Sequence, residues 1–289
     1  MTIVCGTDFS AASSGAVRAA AVLAKRFDVP LVLAHAREEA VPDARARLAE
    51  QEGTLRSAGI EARAELVEGP ADETLAREAQ RLASSILVVA GTGRGGAEDS
   101  RLGHVADRTA QLSPVPLLLV RDPRPFEAWG DAPGGRALEV LVGYEPSETA
   151  DAALRWAHEQ LPRAGPCNTH AAHVYWPPEQ HGRLKLAGPL HGVPVPPEIE
   201  GALGGELRAR MHRTAGREVP LLLEGSLGRR ADHLVAMAQA ASCDLLVVGT
   251  HQRSGLQRLW HGSVSYHVLR LAPMNVACVP ASADAGETR

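Results

Sequence analysis

LLVVGTHQRSGLQRLWHGSVSYHVLRLAPMNVACVP, running from Leu245 to Pro280, decides the fold. Its opening residues up to Gly249 are apolar without alternation, the pattern of a strand buried on both faces. A Gly- and Ser-containing loop follows, then Gly262-Ser263, a helix-like segment through Leu271, and a second apolar run after Pro273. Strand, small-residue loop, helix start and strand are the parts of an anion site in an α/β sheet. Small residues let backbone N–H groups approach the charge.

The chain contains this arrangement twice. Ile86 to Arg121, ILVVAGTGRGGAEDSRLGHVADRTAQLSPVPLLLVR, aligns with it without a gap at an offset of 159, matching Val88 with Val247, Gly103 with Gly262 and Pro114 with Pro273. The fronts of the halves repeat as well, IVCGTDFS with Asp8 beside VLVGYEPS with Glu145, at an offset of 137. Between Val67-Glu68-Gly69 and Leu223-Glu224-Gly225 the offset is 156, so the extra residues of the second half lie between these landmarks. Duplication is the main architectural fact.

A chain of 289 residues has room for two cores of about 150 residues each. The 45% hydrophobic and 22% charged residues are ordinary for a globular protein, and a net charge of -4 with both signs interspersed points to no nucleic-acid or membrane surface. No apolar run reaches the roughly 20 residues of a membrane helix, and the N-terminus lacks a signal-peptide pattern, so a cytoplasmic location is expected. Cys5, Cys167, Cys243 and Cys278 are far apart and read as reduced core thiols.

Strands are expected at Thr2–Gly6, Pro30–Ala36, Ile60–Val67, Ile86–Ala90 and Leu117–Val120, with helices between them, the first at Ala11–Phe27 behind Ser10. Parallel strands need helical crossovers, so this alternation implies an α/β, Rossmann-like, doubly wound sheet. The Pro- and Gly-rich residues 122–136 read as a linker between a first domain, 1–121, and a second, 137–281, with a tail at 282–289. The second domain repeats the order, with helices at Ser147–Leu161 and Pro197–Thr214. An insertion at 176–197 without periodicity reads as a surface excursion or as a lid or partner-binding element.

Two such units, each opening with a strand and a GTDFS- or VGYEPS-like turn and closing with VVGTHxRSG, GS and a Pro-bounded strand, resemble a tandem universal stress protein over nearly the whole chain. That resemblance implies two five-stranded parallel sheets of the adenine nucleotide α-hydrolase-like type, related by a pseudo-twofold axis. It also implies an intrachain pseudo-dimer through the last strands, Leu117 to Val120 and Val276 to Val279, and leaves a further homodimer open. The family fingerprint is G-x-x-G, nine residues, then G-S/T. The second half has Gly249, then Gln252 in place of the second Gly, nine residues, and Gly262-Ser263 with Ser265 beyond. Carried over, Gly143, Glu145, Val174, Gly249, Gln252, Arg253, Gly262, Ser263, Val264 and Ser265 are the nucleotide-binding candidates. The start of the last helix would hold phosphates through its N–H groups and dipole. Glu145 replaces an Asp that helps to position the sugar, and Arg253 reads as a phosphate contact or a surface ion pair.

The first half departs elsewhere. Its candidates are Asp8, Ala36, Gly91, Gly93, Gly103 and His104. Here Ala90 takes the first Gly position, His104 the Ser/Thr position and Ala106 the second hydroxyl position, while Glu98 and Asp99 bring negative charge to the loop. Like charge disfavours a triphosphate unless Mg²⁺ intervenes. The second half is therefore expected to be the better site for ATP, with or without Mg²⁺.

Among twelve histidines, His170 and His173 are spaced to face opposite sides of a strand, so no metal site is expected. His251 and His261 lie in the signature loop, as nucleotide neighbours or as solvated side chains. No Ser-His-Asp or Cys-His ordering suggests a catalytic nucleophile. The first functional reading is an ATP-binding stress-response protein, with nucleotide-dependent conformation or choice of an unidentified protein partner and slow or no hydrolysis. The second is a nucleotide-independent scaffold, motivated by Ala90, His104, Glu145 and Gln252. The third, an adenylating enzyme, lacks an added catalytic domain.

Overall fold

The structure, a computed structural model, describes residues 1–37, 43–93, 102–130, 136–185, 197–250 and 263–281. In the first half, β1 (Ile3–Gly6), α1 (Ala11–Phe27), β2 (Leu31–Arg37), α2 (Ala44–Ser57) and β3 (Ala62–Glu68) come first. Then follow α3 (Ala71–Arg81), β4 (Ile86–Ala90), α4 (His104–Leu112) and β5 (Leu117–Val120). A short helix, α5 (Arg124–Gly130), precedes the second half. There β6 (Leu138–Gly143), α6 (Glu148–Arg155), β7 (Cys167–Tyr175), α7 (Pro177–Arg183) and α8 (Pro197–Ala215) lead on to β8 (Leu221–Gly225), α9 (Arg230–Ala240), β9 (Leu245–Thr250), α10 (Val264–Leu271) and β10 (Asn275–Pro280).

Helix α1 shows why these segments take these forms. Alanine favours the helix, Ser10 caps its start by accepting from Ser13 N–H at 3.1 Å, and Asp28 ends it in the left-handed region. The strands are read on both faces. Ile3 and Cys5 of β1 join one core and Val4 the other, and Val88 and Leu87 of β4 divide the same way. Helices α1, α2, α5, α6 and α8 cover the first face, and α3, α4, α9 and α10 the second.

The two five-stranded sheets are joined edge to edge into one sheet of 10 strands, in the order β3-β2-β1-β4-β5-β10-β9-β6-β7-β8. All neighbours within a half are parallel, and the β5–β10 seam is antiparallel. In the seam Leu118 faces Ala277, its own counterpart at the repeat offset, while Leu117 faces Cys278 and Leu119 faces Val276. A residue can pair with its own counterpart only on a twofold axis, so the pseudo-dimer axis passes through Leu118 and Ala277. The pairing also covers two apolar edges. Buried Asn275 staples it: its Oδ1 accepts from the N–H groups of Arg121 and Asp122 at 2.9 and 3.1 Å, and its Nδ2 donates to Asp244 O at 3.1 Å.

Three segments differ from the sequence expectation. The segment read as linker carries α5, whose Phe126 and Trp129 are fully buried. Seven helical residues are too few to show a periodicity beside the prolines. The helix expected over Ser147–Leu161 is α6 only as far as Arg155. It widens into a π turn at Trp156–Gln160 and tightens into a 3₁₀ turn at Leu161–Arg163, where Pro162 cannot continue the α pattern. The insertion begins with α7, while its residues 186–196 lie outside those described.

Candidate functional site

In a doubly wound sheet a crevice opens beyond the carboxyl ends of the strands where the winding reverses. In the second half that point lies between β6, which pairs with β7 on one side, and β9 on the other. Three candidates stand at or one residue before the carboxyl ends of these strands: Gly143 on β6, Val174 on β7 and Gly249 on β9. Together with Glu145, Ser263, Val264 and Ser265 they line one cleft of about 360 Å³. Gln252, Arg253 and Gly262, like His251 and His261, lie outside the described residues.

The cleft is built by a close approach of backbone. A Cβ placed on Gly249 would stand 2.4 Å from Thr149 O and 2.9 Å from Ala150 N, so β9 can rest on the first turn of α6 only with glycine there. Across the cleft Ser263 caps α10, its Oγ accepting from Tyr266 N–H at 3.1 Å. The N–H groups of Val264 and Ser265 belong to a helix start, where no earlier turn supplies carbonyl partners. They form the positive end of α10. Ser265 Oγ donates to Gly249 O at 2.7 Å, strapping the helix start to the strand end, whereas the Ser263 hydroxyl donates to nothing among the described residues. In the first half Ala106 stands in place of Ser265 and cannot make this tie, and there Gly103 N–H donates to Gly91 O at 2.8 Å.

Two cleft residues were not among the sequence's nucleotide-binding candidates. Arg230, the first residue of α9, holds Glu145 at 2.8 Å and reaches Glu179 of α7 at 3.4 Å, so the carboxylate expected at the sugar is tied to the insertion. A cation at a helix start opposes the helix dipole, and Arg229-Arg230 after Gly228 was the available signal. Because the pair is substantially exposed, it contributes less than about 1 kcal/mol. The second residue is His173, whose Nδ1–H donates to Tyr144 O at 2.7 Å. His35 makes the same bond to Thr7 O at 2.7 Å, so the duplicated strands carry a duplicated histidine. A further cleft of about 410 Å³ shares Glu145, His173 and Arg230 and is floored by Pro146, Tyr175, Leu203 and Leu207.

Burial holds the His173 imidazole below its usual pKa range, and the same cause acts on His158. Both histidines are protonated more readily in the unfolded chain, at about pH 6.5. The unfolded state therefore binds more protons below that pH, and stability falls as pH falls. The urea midpoint is expected to drop between pH 7.5 and 5.5, above the carboxylate range, and His173→Gln should flatten the drop. An unchanged slope in that variant would remove His173 as its source.

In the first half the candidates gather less completely. Gly91 continues from β4, donating to Val120 O at 2.9 Å, and Gly103 precedes α4, which opens with exposed His104. Asp8 Oδ1 accepts from Ser10 N–H at 3.0 Å, and its Oδ2 would stand 2.9 Å from a Cβ on Gly93. Ala36 sits near the end of β2 beside His35. Loop residues 94–101, with Glu98 and Asp99, lie outside the described residues.

A model of the universal stress protein family matches residues 1–121 and 138–280. A universal stress protein of Mycobacterium tuberculosis is 29% identical over 195 residues, 67% of this chain and 61% of that protein, and one from Mycobacterium bovis matches to the same extent. The chain thus spans less than two thirds of the length of these relatives. The crystal structure of a universal stress protein from Archaeoglobus fulgidus superposes with a TM-score of 0.65 at 19% identity, covering 97% of this chain and 98% of that one. A Pseudomonas aeruginosa protein of unknown function gives a TM-score of 0.67 at 16% identity over 96% and 92%. At these identities the two structures bear on the fold alone.

Proposed function

This chain belongs to the universal stress protein family, and from that membership we propose that its second half binds ATP, with or without Mg²⁺, and that the bound nucleotide sets conformation or partner choice. The observation that carries the reading is the single cleft lined by Gly143, Glu145, Val174, Gly249, Ser263, Val264 and Ser265 at the winding reversal of the sheet. Phosphates would lie against the start of α10, where two N–H groups, the Ser263 hydroxyl and the helix dipole favour an anion. The sugar and base would lie toward Glu145 and Val174. The described cleft residues hold and orient a nucleotide, and the nucleotide is taken to act as a ligand with slow or no turnover.

A nucleotide-independent scaffold is the competing reading, favoured by the engagement of Glu145 with Arg230 and of Ser265 with Gly249. Ser263→Asp separates the two. Aspartate is as good a cap as serine and suits the dipole, so the fold should be unharmed, while its charge repels a triphosphate. At a hundredfold excess over Kd, Mg-ATP should stabilise the wild type by about 2.7 kcal/mol, a rise of some degrees in Tm. Ser263→Asp should keep the ligand-free Tm and lose this shift. Absence of any shift in the wild type, with no nucleotide released on denaturation, would leave the scaffold reading.

A further inference from the structure

We infer that the insertion of the second half builds a second ligand site beside the nucleotide cleft, and that this site takes a small amphipathic carboxylate. The site stands whether or not α10 holds a nucleotide.

The insertion makes one wall. In the first half residues 38–43 alone lead from β2 to α2, whereas the second half places α7 between β7 and α8. Helix α7 lends Glu179, Gln180 and Arg183 to the cleft of about 410 Å³, a volume within the range of small-molecule sites. Helix α8 supplies a further wall. Leu203, Leu207, Arg210 and Arg213 all line the cleft, and their spacing puts them on one face of the helix. Along that face an apolar floor runs up to two guanidiniums one turn apart.

Charge is matched everywhere on this rim except at those two arginines. Arg183 pairs with Glu206 at 2.8 Å, and Arg230 with Glu145 and Glu179 at 2.8 and 3.4 Å, so each carboxylate lining the cleft has its cation. Arg210 is held by Asp151, which does not line the cleft and accepts from its Nη2 at 2.6 Å and its Nε at 3.2 Å. Asp151 also accepts from Tyr144 Oη at 2.6 Å and Thr214 Oγ1 at 3.2 Å. The guanidinium is thereby fixed in place, while its Nη1 takes no part in these bonds. Exposed Arg213 has no hydrogen bond or ion pair among the described residues. Below the pair Tyr175, Leu203 and Leu207 are buried, and the Tyr175 hydroxyl is turned to Glu200 at 3.2 Å. A carboxylate fits guanidinium donors set in advance, and an aliphatic body gains by covering the floor.

Calorimetric titration of the whole chain tests this, with straight-chain carboxylates from acetate to octanoate and with octanamide, which keeps the body and lacks the charge. Octanoate should bind once per chain, and each CH₂ added along the series should tighten binding about fourfold while apolar floor remains to be covered. Octanamide should bind about tenfold more weakly than octanoate. Because Arg213 is exposed, Arg213→Gln should keep the melting curve, weaken octanoate about tenfold and leave octanamide unchanged. Ser263→Asp should leave octanoate unchanged, which separates this site from the start of α10. No binding of octanoate, equal binding of octanoate and octanamide, or a loss in Ser263→Asp in place of Arg213→Gln would overturn the site. A chain that binds octanoate in the expected pattern but no Mg-ATP would keep this site and lose the nucleotide reading.

Discussion

Gly249→Ala is expected to cost about 3 kcal/mol of folding stability or more, because the added methyl meets backbone. Its Cβ would lie 2.4 Å from the Thr149 carbonyl oxygen and 2.5 Å from its carbon, atoms fixed in the first turn of α6. To make room, β9 and α6 must part, and these elements form two walls of the cleft. The control is Gly143→Ala on the neighbouring strand. Its Cβ would meet Leu234 Cδ2 at 2.6 Å, but that is the end of a side chain able to rotate, so about 1 kcal/mol is expected. Guanidinium unfolding of both variants without nucleotide checks the ranking. If Gly249→Ala is the milder change, backbone packing is not what demands this glycine. The expected order assigns the first Gly of the fingerprint to the fold rather than to a ligand. Ala90, its counterpart in the first half, then reports a different fit of α1 on β4, not lost nucleotide binding.

Duplication made most of the architecture legible. Apolar runs mark strands wherever the sheet is covered on both sides, and the offset between halves placed the crossovers, while the seam at Leu117–Val120 and Val276–Val279 followed from the family resemblance. The glycine and serine candidates were readable for the same reason: a close backbone approach or a helix start constrains residue type locally. What stayed hidden depends on partners distant in sequence. Arg230 looks like any surface arginine until folding brings it 85 residues back to Glu145. Phe9 sits inside the turn that announces the family, yet its contacts with Arg47 and His35 come only from the packing of α2 and β2. The buried faces of α5 were masked by a composition that elsewhere signals a linker.

Trp129→Ala is the second large effect, about 3 to 5 kcal/mol, the range for truncating a fully buried aromatic. Trp129 is wholly buried, donates from Nε1 to Pro166 O at 2.9 Å, and has the Arg26 guanidinium 5.0 Å from its ring centre. Arg26 belongs to α1 of the first half, and it also donates to Ala164 O of the second at 3.0 Å. One side chain of a segment with linker composition therefore clamps both halves on one face of the sheet, while the β5–β10 seam joins them at its middle. Trp176→Ala is the control: half-exposed at 49%, it should cost less than about 1 kcal/mol. Guanidinium unfolding followed by circular dichroism should give one transition for the wild type and a large shift for Trp129→Ala. A loss as small as the control's would return the segment to the role of a tether. The clamp bears on function through geometry. Since the seam is antiparallel, the carboxyl ends of β1 and β4 lie at one edge of the sheet and those of β6 and β9 at the opposite edge. The winding reversals of the two halves thus open at opposite edges of the sheet. Under the proposed nucleotide reading α10 reaches the first half directly, where the Arg121 guanidinium donates to Leu269 O, as well as through Trp129, so Trp129→Ala should weaken such coupling in part while Trp176→Ala leaves it intact.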